Sequence, residues 1–352
     1  MMTMKKGTFL LAAALTAVPL SAQDVERVRG SEVAIYNVAG EIEVVAGRGS
    51  EVVVRVNRGG DDADRLEIAT GTIGGRETLR VIYPSDEVIY PEMGRRSNTT
   101  TTVRDDGTFS DGGRGRGEQM RVRGSGRGME AWADLIIEVP EGQTLSVYLA
   151  VGEIRAEGID GDIEFDTGSG AVVARDMAGE LGIDTGSGSV SVDGMQGDLN
   201  VDTGSGSISV SEVYADEVDL DTGSGAVTAV DMDARSLVVD TGSGRVELEG
   251  LTAQDVIVDT GSGSVEIELL SDVDELNVDT GSGAVTVYAP GDLGGSLDIE
   301  SGSGGIDVDF EVQVRTVRRD MMRGELGDGR GEIVIDTGSG SIKLLRRSRV
   351  VR

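Results

Sequence analysis

The residues of this chain that are best suited to chemistry are aspartates in a repeated five-residue turn, Asp-Thr-Gly-Ser-Gly. A carboxylate on a glycine-rich turn can act as a general acid or base when a second carboxylate lies beside it, or it can bind a cation. The eight copies of this pentad begin at Asp166, Asp184, Asp202, Asp221, Asp240, Asp259, Asp279 and Asp336. A ninth copy, Glu-Ser-Gly-Ser-Gly, begins at Glu300, and 36 residues separate it from the last pentad.

The rest of the composition restricts the available chemistry. The chain of 352 residues has no cysteine and no histidine, which excludes Ser-His-Asp triads, cysteine nucleophiles, and zinc or iron held by histidine. The net charge is −31, and residues 161–308 hold 31 acidic residues against three arginines, a net of −28. Such a surface repels nucleic acid and attracts cations, so we expect no nucleic-acid partner.

The pentads belong to a longer unit that predicts the fold. In "GDLNVDTGSGSISVSEVYA", alternation turns Leu199 and Val201 to one face and Asn200 to the other, and Ile208 and Val210 repeat this after the corner. The third inward anchors are Met177, Met195, Val213, Met232, Leu251 and Leu293. No unit can bury its apolar residues alone, and the glycines are expected to supply a corner with positive φ. The sequence therefore predicts an all-β fold, a β-solenoid of the parallel β-helix type, with about nine regular coils of 18–21 residues preceded by degenerate coils.

Composition shifts divide the chain into five predicted segments. These are a signal peptide at 1–22, degenerate N-terminal β coils at 23–83, a flexible insertion rich in Gly, Arg, Ser and Thr at 84–130, regular β-solenoid repeats at 131–345, and a basic tail at 346–352. We expect one irregular coil with an Arg-rich loop in the gap before Asp336. The C-terminal stretch "SIKLLRRSRVVR" is expected either to cover the end of the solenoid or to dock on an acidic surface.

Several interpretations of the corner residues stay open. Aspartic proteases also carry Asp-Thr-Gly-Ser after an apolar residue, but they need two carboxylates that share a proton in a covered cleft. A structural interpretation points Asp202 outward, where it accepts a hydrogen bond from the N–H two residues on, while Thr203 points inward or caps the turn. A file of such threonines could also order water.

The remaining interpretation is a calcium ladder with aspartates about 5 Å apart. Its members would be Asp166, Asp184, Asp202, Asp221, Asp240, Asp259 and Asp279. The tandem GGxGxD motif of calcium-binding β-rolls is absent from the chain.

The stretch "IIEVPEGQTLSVYLAVGEIRAEGIDGDIEFDTGSG" combines a Pro-Glu-Gly turn with strand pairs around short glycine corners, and the final "GEIVIDTGSGSIKL" repeats such a pair. With the coils between them, these stretches resemble a bacterial putative-adhesin family of unknown function, and the resemblance spans most of residues 31–344. It implies serial β-strand repeats and supplies no catalytic residues. The uniform DTGSG corners and the Arg/Gly insertion depart from the family pattern.

These observations predict an exported, non-enzymatic protein in the periplasm, at the cell surface or outside the cell, with no transmembrane anchor in the mature chain. Its expected role is adhesion, or binding to a cell-envelope or extracellular polymer or protein surface, with no catalytic residues and no cofactor. The alternatives are a calcium-dependent structural or sensory module and, more remotely, an aspartic-protease-like hydrolase. The oligomeric state is left open.

Overall fold

The computed structural model describes residues 24–112 and 116–347. Within these residues the regular structure is β-strand, apart from two single-turn 3₁₀ helices at Ala63–Arg65 and Pro91–Met93. The prediction of an all-β repeat fold is therefore confirmed. The predicted signal peptide lies outside the described residues, and so does most of the predicted basic tail.

The described chain contains 29 strands. The N-terminal strands are β1 (Asp24–Val28), β2 (Glu32–Ala39), β3 (Ile42–Ala46), β4 (Val52–Gly59), β5 (Glu67–Ile73) and β6 (Arg76–Ile82). The next segment holds β7 (Glu87–Ile89), β8 (Asn98–Arg104), β9 (Gly117–Arg123) and β10 (Met129–Glu130). The repeats begin with β11 (Trp132–Val139), β12 (Gln143–Val151), β13 (Ile154–Glu157), β14 (Asp160–Ser169), β15 (Val172–Thr185), β16 (Val190–Gln196), β17 (Leu199–Thr203), β18 (Ile208–Thr222), β19 (Val227–Thr241) and β20 (Val246–Thr260). They end with β21 (Val265–Leu269), β22 (Glu275–Thr280), β23 (Val285–Ala289), β24 (Gly295–Ser301), β25 (Ile306–Val308), β26 (Val312–Val317), β27 (Met321–Leu326), β28 (Glu332–Thr337) and β29 (Ile342–Arg346).

The strands stack in two columns, because each repeat places one strand before its corner and one after it. The first column runs β6, β2, β12, β14, β15, β17, β18, β19, β20, β22, β28, β24, β27 and β26. The second column runs β1, β4, β11, β3, β13, β15, β16, β18, β19, β20, β21, β23, β29 and β25. Four long strands, β15, β18, β19 and β20, belong to both columns, since each continues from one repeat into the next. The strands that carry or follow a pentad pair in parallel from one repeat to the next, whereas β11 pairs with β4, and β27 with β24 and β26, in antiparallel fashion.

Alternation along the strands places the apolar residues in a common core, as the sequence predicts. Leu199 and Val201 are buried, and Asn200 between them is exposed. The predicted third inward anchors are all buried: Met177, Met195, Val213, Met232, Leu251 and Leu293. Before five of these anchors the chain bends through left-handed backbone, with φ between 50° and 78°, at Asp176, Gly194, Glu212, Asp231 and Gly250.

The last glycine of each pentad is required by the contact between repeats. Among the pentad glycines of the described chain, only Gly170 has the positive φ that the sequence led us to expect. A Cβ on Gly206 or Gly225 would instead overlap the carbonyl group of the equivalent glycine one repeat earlier. The prediction of a left-handed corner was therefore wrong, and glycine is needed there because the backbones of successive repeats touch.

The N-terminal segment contains one degenerate repeat. Strands β2 and β3 stack in parallel on β12 and β13, and the corner between them reads Tyr-Asn-Val-Ala-Gly over residues 36–40. A Cβ on Gly152 would overlap the carbonyl of Gly40, so the glycine contact is kept although the rest of the pentad is lost. The neighbouring strands β1, β4 and β5 pair in antiparallel fashion and are not coils of the expected kind.

Residues 84–130, for which a flexible insertion was expected, contain a small second sheet. Its four strands pair in the order β10, β7, β9 and β8. Val88, Met120 and Val122 are buried in the core shared with the repeats. Composition concealed these strands because β8, with the sequence NTTTTVR, is mostly threonine, and β9, with the sequence GEQMRVR, has only Met120 and Val122 as alternating apolar residues.

The repeats do not stack in chain order at the C-terminal end. Strand β28, which leads into the Asp336 pentad, pairs in parallel with β22 on one side and β24 on the other, and β29 lies between β23 and β25. The last repeat is thus inserted between the repeats of Asp279 and Glu300. In place of the expected irregular coil and Arg-rich loop, β26 and β27 form an antiparallel hairpin that pairs with β24. This hairpin, and not the C-terminal strand, ends the first column.

We predict that Gly225→Ala strongly destabilises the protein, because the added methyl group meets the backbone of Gly206. A loss of about 3 kcal/mol or more in the free energy of unfolding is expected, measured by urea denaturation followed by circular dichroism. Gly305→Ala is the matched control, since a Cβ at Gly305 has no atom within 4 Å. Equal unfolding midpoints for the two variants would contradict the proposed role of the glycine contact.

Candidate functional site

The corner carboxylates form a single file, which we call the carboxylate ladder. In spatial order its members are Asp166, Asp184, Asp202, Asp221, Asp240, Asp259, Asp279, Asp336 and Glu300. Each member is paired in register with the next, so neighbouring backbones are about 4.8 Å apart and the ladder is roughly 40 Å long. The seven aspartates predicted from the sequence are brought together, and the inserted repeat adds the last two members in reversed chain order.

The ladder faces outward because each carboxylate lies between two inward residues. Val201 and Thr203 are buried, whereas Asp202 is exposed, as predicted. The residue after every ladder carboxylate is buried as well: Thr167, Thr185, Thr203, Thr222, Thr241, Thr260, Thr280, Thr337 and Ser301. A file of hydroxyl groups thus lies directly behind the file of carboxylates.

Most of the buried hydroxyls tie a corner to the neighbouring corner, whereas the Thr167 hydroxyl has no hydrogen-bond partner in the described part of the chain. The Thr222 hydroxyl accepts a hydrogen bond from the N–H of Gly225 at 3.0 Å and donates one to the carbonyl of Gly206 at 2.8 Å. The same two bonds are made by Thr203, Thr241, Thr260, Thr280, Thr337 and Ser301. Each of these threonines therefore points inward and also caps the turn, so the two alternatives expected for Thr203 occur together.

The aspartates do not have the turn-forming role that the sequence suggested. An Asx-turn at Asp202 would require the N–H of Gly204, but this N–H donates to the carbonyl of Thr185 in the preceding repeat at 3.0 Å. The equivalent bond joins Gly223 to the carbonyl of Thr203 at 3.1 Å. Since the corner is held by threonine and by backbone bonds between repeats, the aspartate side chains are left to face solvent.

We predict that Thr222→Val destabilises the protein by about 2 kcal/mol or more, because it leaves the Gly225 N–H and the Gly206 carbonyl without their partner. Thr222→Ser should cost about 1 kcal/mol, since it removes only a buried methyl group and Ser301 makes the same bonds at 2.8 Å. Thr228→Val, on the outer side of the next strand, is the control and should change the free energy of unfolding by less than about 0.5 kcal/mol. A serine variant no more stable than the valine variant would contradict this role of the hydroxyl.

Partial burial and the charges of stacked neighbours both disfavour ionised carboxylates in the ladder, and their combined effect is largest at Asp166, where the ladder begins. Partial burial, followed by the charges of Asp184 and Glu164, raises the pKa of Asp166 to about 7, although a hydrogen bond with Ser110 opposes the shift. Partial burial and neighbouring ladder carboxylates also raise the pKa of Asp184, Asp221 and Asp336. The ladder is therefore a surface on which negative charge is held against repulsion, and cations close to it are favoured.

We predict that Asp166→Asn stabilises the protein at pH 8 but not at pH 4. Folding raises the pKa of Asp166, so the folded state favours the protonated carboxyl group. The resulting contribution to the free energy of unfolding is fully present below about pH 4 and is lost as the carboxyl group ionises, when the pH rises through about 7. Asparagine does not ionise and therefore avoids this loss. Thermal unfolding at both pH values measures the difference between variant and parent protein. Asp216→Asn removes one carboxylate outside the ladder, and an equal gain at pH 8 from both variants would contradict the prediction.

The start of the ladder is covered by a polar cluster that sequence reasoning missed. Tyr148 is in register with Asp166, and Tyr36 is in register with Tyr148, so two tyrosines continue the file of carboxylates. Their rings are stacked, with centroids 4.7 Å apart. Counting back 18 residues from Asp166 leads to Tyr148, so the repeat period was a signal that could have identified this position.

Residues from the insertion and from β6 close over these tyrosines. The Tyr36 hydroxyl donates to Asp111 at 2.7 Å, and Arg76 donates to the Tyr148 hydroxyl at 3.2 Å. Arg104 also forms an ion pair with Asp111. Burial, followed by the hydrogen bond to Asp111, raises the pKa of Tyr36 well above its ordinary range. The ladder thus has a closed, neutralised end beside the insertion and runs from there toward the C-terminal hairpin.

The calcium and protease interpretations of the corner aspartates require different arrangements of carboxylates. No three acidic residues in the described parts of the chain converge closely enough to form a metal site. Calcium binding by the ladder therefore stays a prediction, and it would have to use carboxylates that lie in line. A protease dyad needs two carboxylates on facing loops within a cleft, whereas the ladder lies on one side of a sheet.

Comparisons with known proteins give one family match. The family model described as Toastrack DUF4097 matches residues 85–345. A crystal structure from Clostridium sporogenes, of a protein named as a putative cell adhesion protein, is 11% identical in sequence. It aligns over 92% of this chain and 99% of its own with a TM-score of 0.22, which is too low to carry an argument. No curated protein matches the chain. Within the described residues, no helix is long and apolar enough to cross a membrane.

Proposed function

We propose a binding role for this chain, which belongs to the Toastrack DUF4097 family. The family is one of unknown function, which agrees with the resemblance found in the sequence. In our proposal the stacked repeats form a β-solenoid of about nine regular coils, and the protein is exported and non-enzymatic. The carboxylate ladder is the binding surface, through which the protein adheres to cell-envelope or extracellular material.

The observation that carries this proposal is the ladder itself, with nine carboxylates in register on an outward face. A rigid row of negative charges at a spacing of about 4.8 Å suits a partner with regularly spaced positive groups, such as an amine-bearing polymer or a basic protein surface. Charges held in place by a sheet lose little conformational freedom when they bind. Partial burial, followed by the charges of neighbouring carboxylates, raises the pKa of Asp184 and Asp221, and this supports a cationic partner that would relieve the repulsion.

A non-enzymatic role is supported by the way each carboxylate is placed. Asp202 is exposed and is in register with Asp184 and Asp221, without a facing loop that would let two of them share a proton inside a cleft. Behind Asp202, the Thr203 hydroxyl is already committed to Gly206 and Gly188. This hydroxyl is therefore engaged in holding the corner and is not poised as a nucleophile.

We predict that neutralising the middle of the ladder weakens binding. The probes are chitosan beads, which carry amines on a polysaccharide, and isolated cell-envelope fragments. The double variant Asp221→Asn/Asp240→Asn should lose at least fivefold in affinity for the probe that the parent protein binds, because adjacent charges act together. The control Asp216→Asn/Asp233→Asn changes the net charge equally but leaves the ladder intact. Equal losses from both double variants would show that only net charge matters, and absence of binding to both probes would overturn the proposal.

Calcium-dependent stabilisation is the second candidate, favoured by the run of aspartates that are stacked in register. The same variants separate it from direct binding when thermal unfolding is measured in chelator, calcium and matched magnesium. A calcium-specific rise in Tm that Asp221→Asn/Asp240→Asn abolishes would favour the calcium module. A rise no larger than that produced by ionic strength alone would leave direct binding as the function of the ladder.

A further inference from the structure

A second charged site of opposite sign lies on the small sheet formed by residues 84–130. A cavity of about 270 Å³ is lined there by Arg95, Arg96, Ser97, Asn98, Arg121, Arg123 and Ser125. Four of these seven residues are arginines and none is acidic, in a chain where acidic residues outnumber basic ones by 63 to 32. The cavity is therefore a local reversal of the charge that dominates the rest of the molecule.

The sheet fixes two of the arginines on one face. Strands β8 and β9 pair in antiparallel register with Asn98 opposite Arg123 and Thr100 opposite Arg121. Because residues two apart on a strand share a face, both guanidinium groups project from the same side of the sheet. Val122 between them is buried, so this side is the one that faces away from the core.

The other two arginines lie on a loop that is tied to β9. The N–H of Gly124 donates to the carbonyl of Ser97 at 3.1 Å, and the Ser125 hydroxyl donates to the carbonyl of Arg95 at 2.8 Å. A Cβ on Gly124 would overlap the carbonyl of Gly94, so loop and strand are in direct backbone contact. Arg95 and Arg96 are therefore held at the rim of the cavity by backbone bonds.

Charge at the cavity is only partly compensated. Glu87 forms ion pairs with Arg123 at 3.2 Å and with Arg121 at 3.9 Å. Within the described chain, no ion pair joins Arg95 or Arg96 to a carboxylate. Glu87 thus pairs with two of the four guanidinium groups, and the Ser97 hydroxyl and the Asn98 amide of the lining add further hydrogen-bond donors.

The cavity is also far enough from the ladder to accept an anion. Strand β8 begins at the cavity with Asn98 and ends at Arg104, beside the cluster that covers the start of the ladder. Seven residues of extended strand separate these ends by roughly 20 Å. The Debye length is about 8 Å at physiological ionic strength, so repulsion from the ladder is screened at the cavity.

We propose that this cavity binds a phosphate or sulfate group carried on a polysaccharide. Guanidinium groups present paired donors that match the oxygens of such groups, and several of them can share one doubly charged oxyanion. Asn98 and Ser97 supply neutral donors, as sugar hydroxyls also require. The site is independent of the ladder, so the protein has one surface for cations and another for anionic polymers.

The test measures binding of the full-length protein to dextran sulfate, with neutral dextran as the reference polymer. Arg95→Ser/Arg96→Ser should reduce affinity at least tenfold, since it removes the two arginines that have no ion pair. Arg315→Ser/Arg330→Ser removes the same charge at exposed positions paired with Glu325 and Asp328, and it should change affinity less than twofold. Circular dichroism checks that all variants are folded.

Three further measurements, of competition, vesicle binding and self-association, distinguish the molecules that could supply the anionic group. Competition by inorganic phosphate or sulfate would support a site for one oxyanion group, and binding of the polymer alone would support a longer contact. Binding to vesicles containing phosphatidylglycerol but not to dextran sulfate would overturn the proposal in favour of a lipid surface. Self-association that Arg95→Ser/Arg96→Ser abolishes, without any polymer binding, would overturn it in favour of contact with the ladder of a second copy. Equal effects of the two double variants would also overturn it.

Discussion

The contact between successive corner glycines is the constraint on which the rest of the structure depends. The carbonyl of Gly206 lies where a side chain on Gly225 would have to be, and the Thr222 hydroxyl bridges the two corners. Such a contact admits only one register between neighbouring repeats. Each hydrogen bond contributes about 1 kcal/mol net, but the cost of leaving a buried group unpaired is larger, so repeats without these bonds would not stack in the same way.

The carboxylate ladder follows from that register. Once Thr222 is fixed behind the corner, Asp221 beside it must fall in line with Asp202 and Asp240. Like charges directly opposite each other oppose sheet formation, and the pKa of Asp221 is raised by partial burial and then by the charges of its neighbours Asp202 and Asp240. The glycine contacts offset this cost in every repeat, and the hydroxyl bonds do so at every corner except that of Thr167. Exceptions to local stability rules are often found at functional surfaces, which is consistent with a binding role for the ladder.

The sequence predicted those features that depend on period and alternation. The outward position of Asp202, the inward position of Val201 and the third anchors all follow from side-chain periodicity, and the structure confirms them. The reason for the glycines was missed because a close approach between repeats leaves no trace in a single repeat. The turn-forming role given to Asp202 failed for a related reason, since its expected partner, the N–H of Gly204, bonds to the preceding repeat.

Long-range arrangements were beyond the reach of local patterns. The four-stranded sheet was hidden because β8 is mostly threonine and β9 has only two alternating apolar residues, Met120 and Val122, in a segment rich in glycine and arginine. The cluster of Tyr36, Arg76 and Asp111 joins residues far apart in the chain. The position of the last repeat was also unpredictable, because the Asp336 pentad is compatible with any neighbour that carries the same corner.

The inserted last repeat changes the order in which the molecule can be assembled. In an ordinary repeat array each unit docks on the one synthesised just before it, and folding can advance along the chain. Here the Thr337 hydroxyl donates to the carbonyl of Gly283, 54 residues earlier, and the Glu300 repeat has its place only when the later repeat is already beside it. The segment from β22 to β29 therefore closes as one cooperative block of high contact order, whereas the preceding repeats can form one after another.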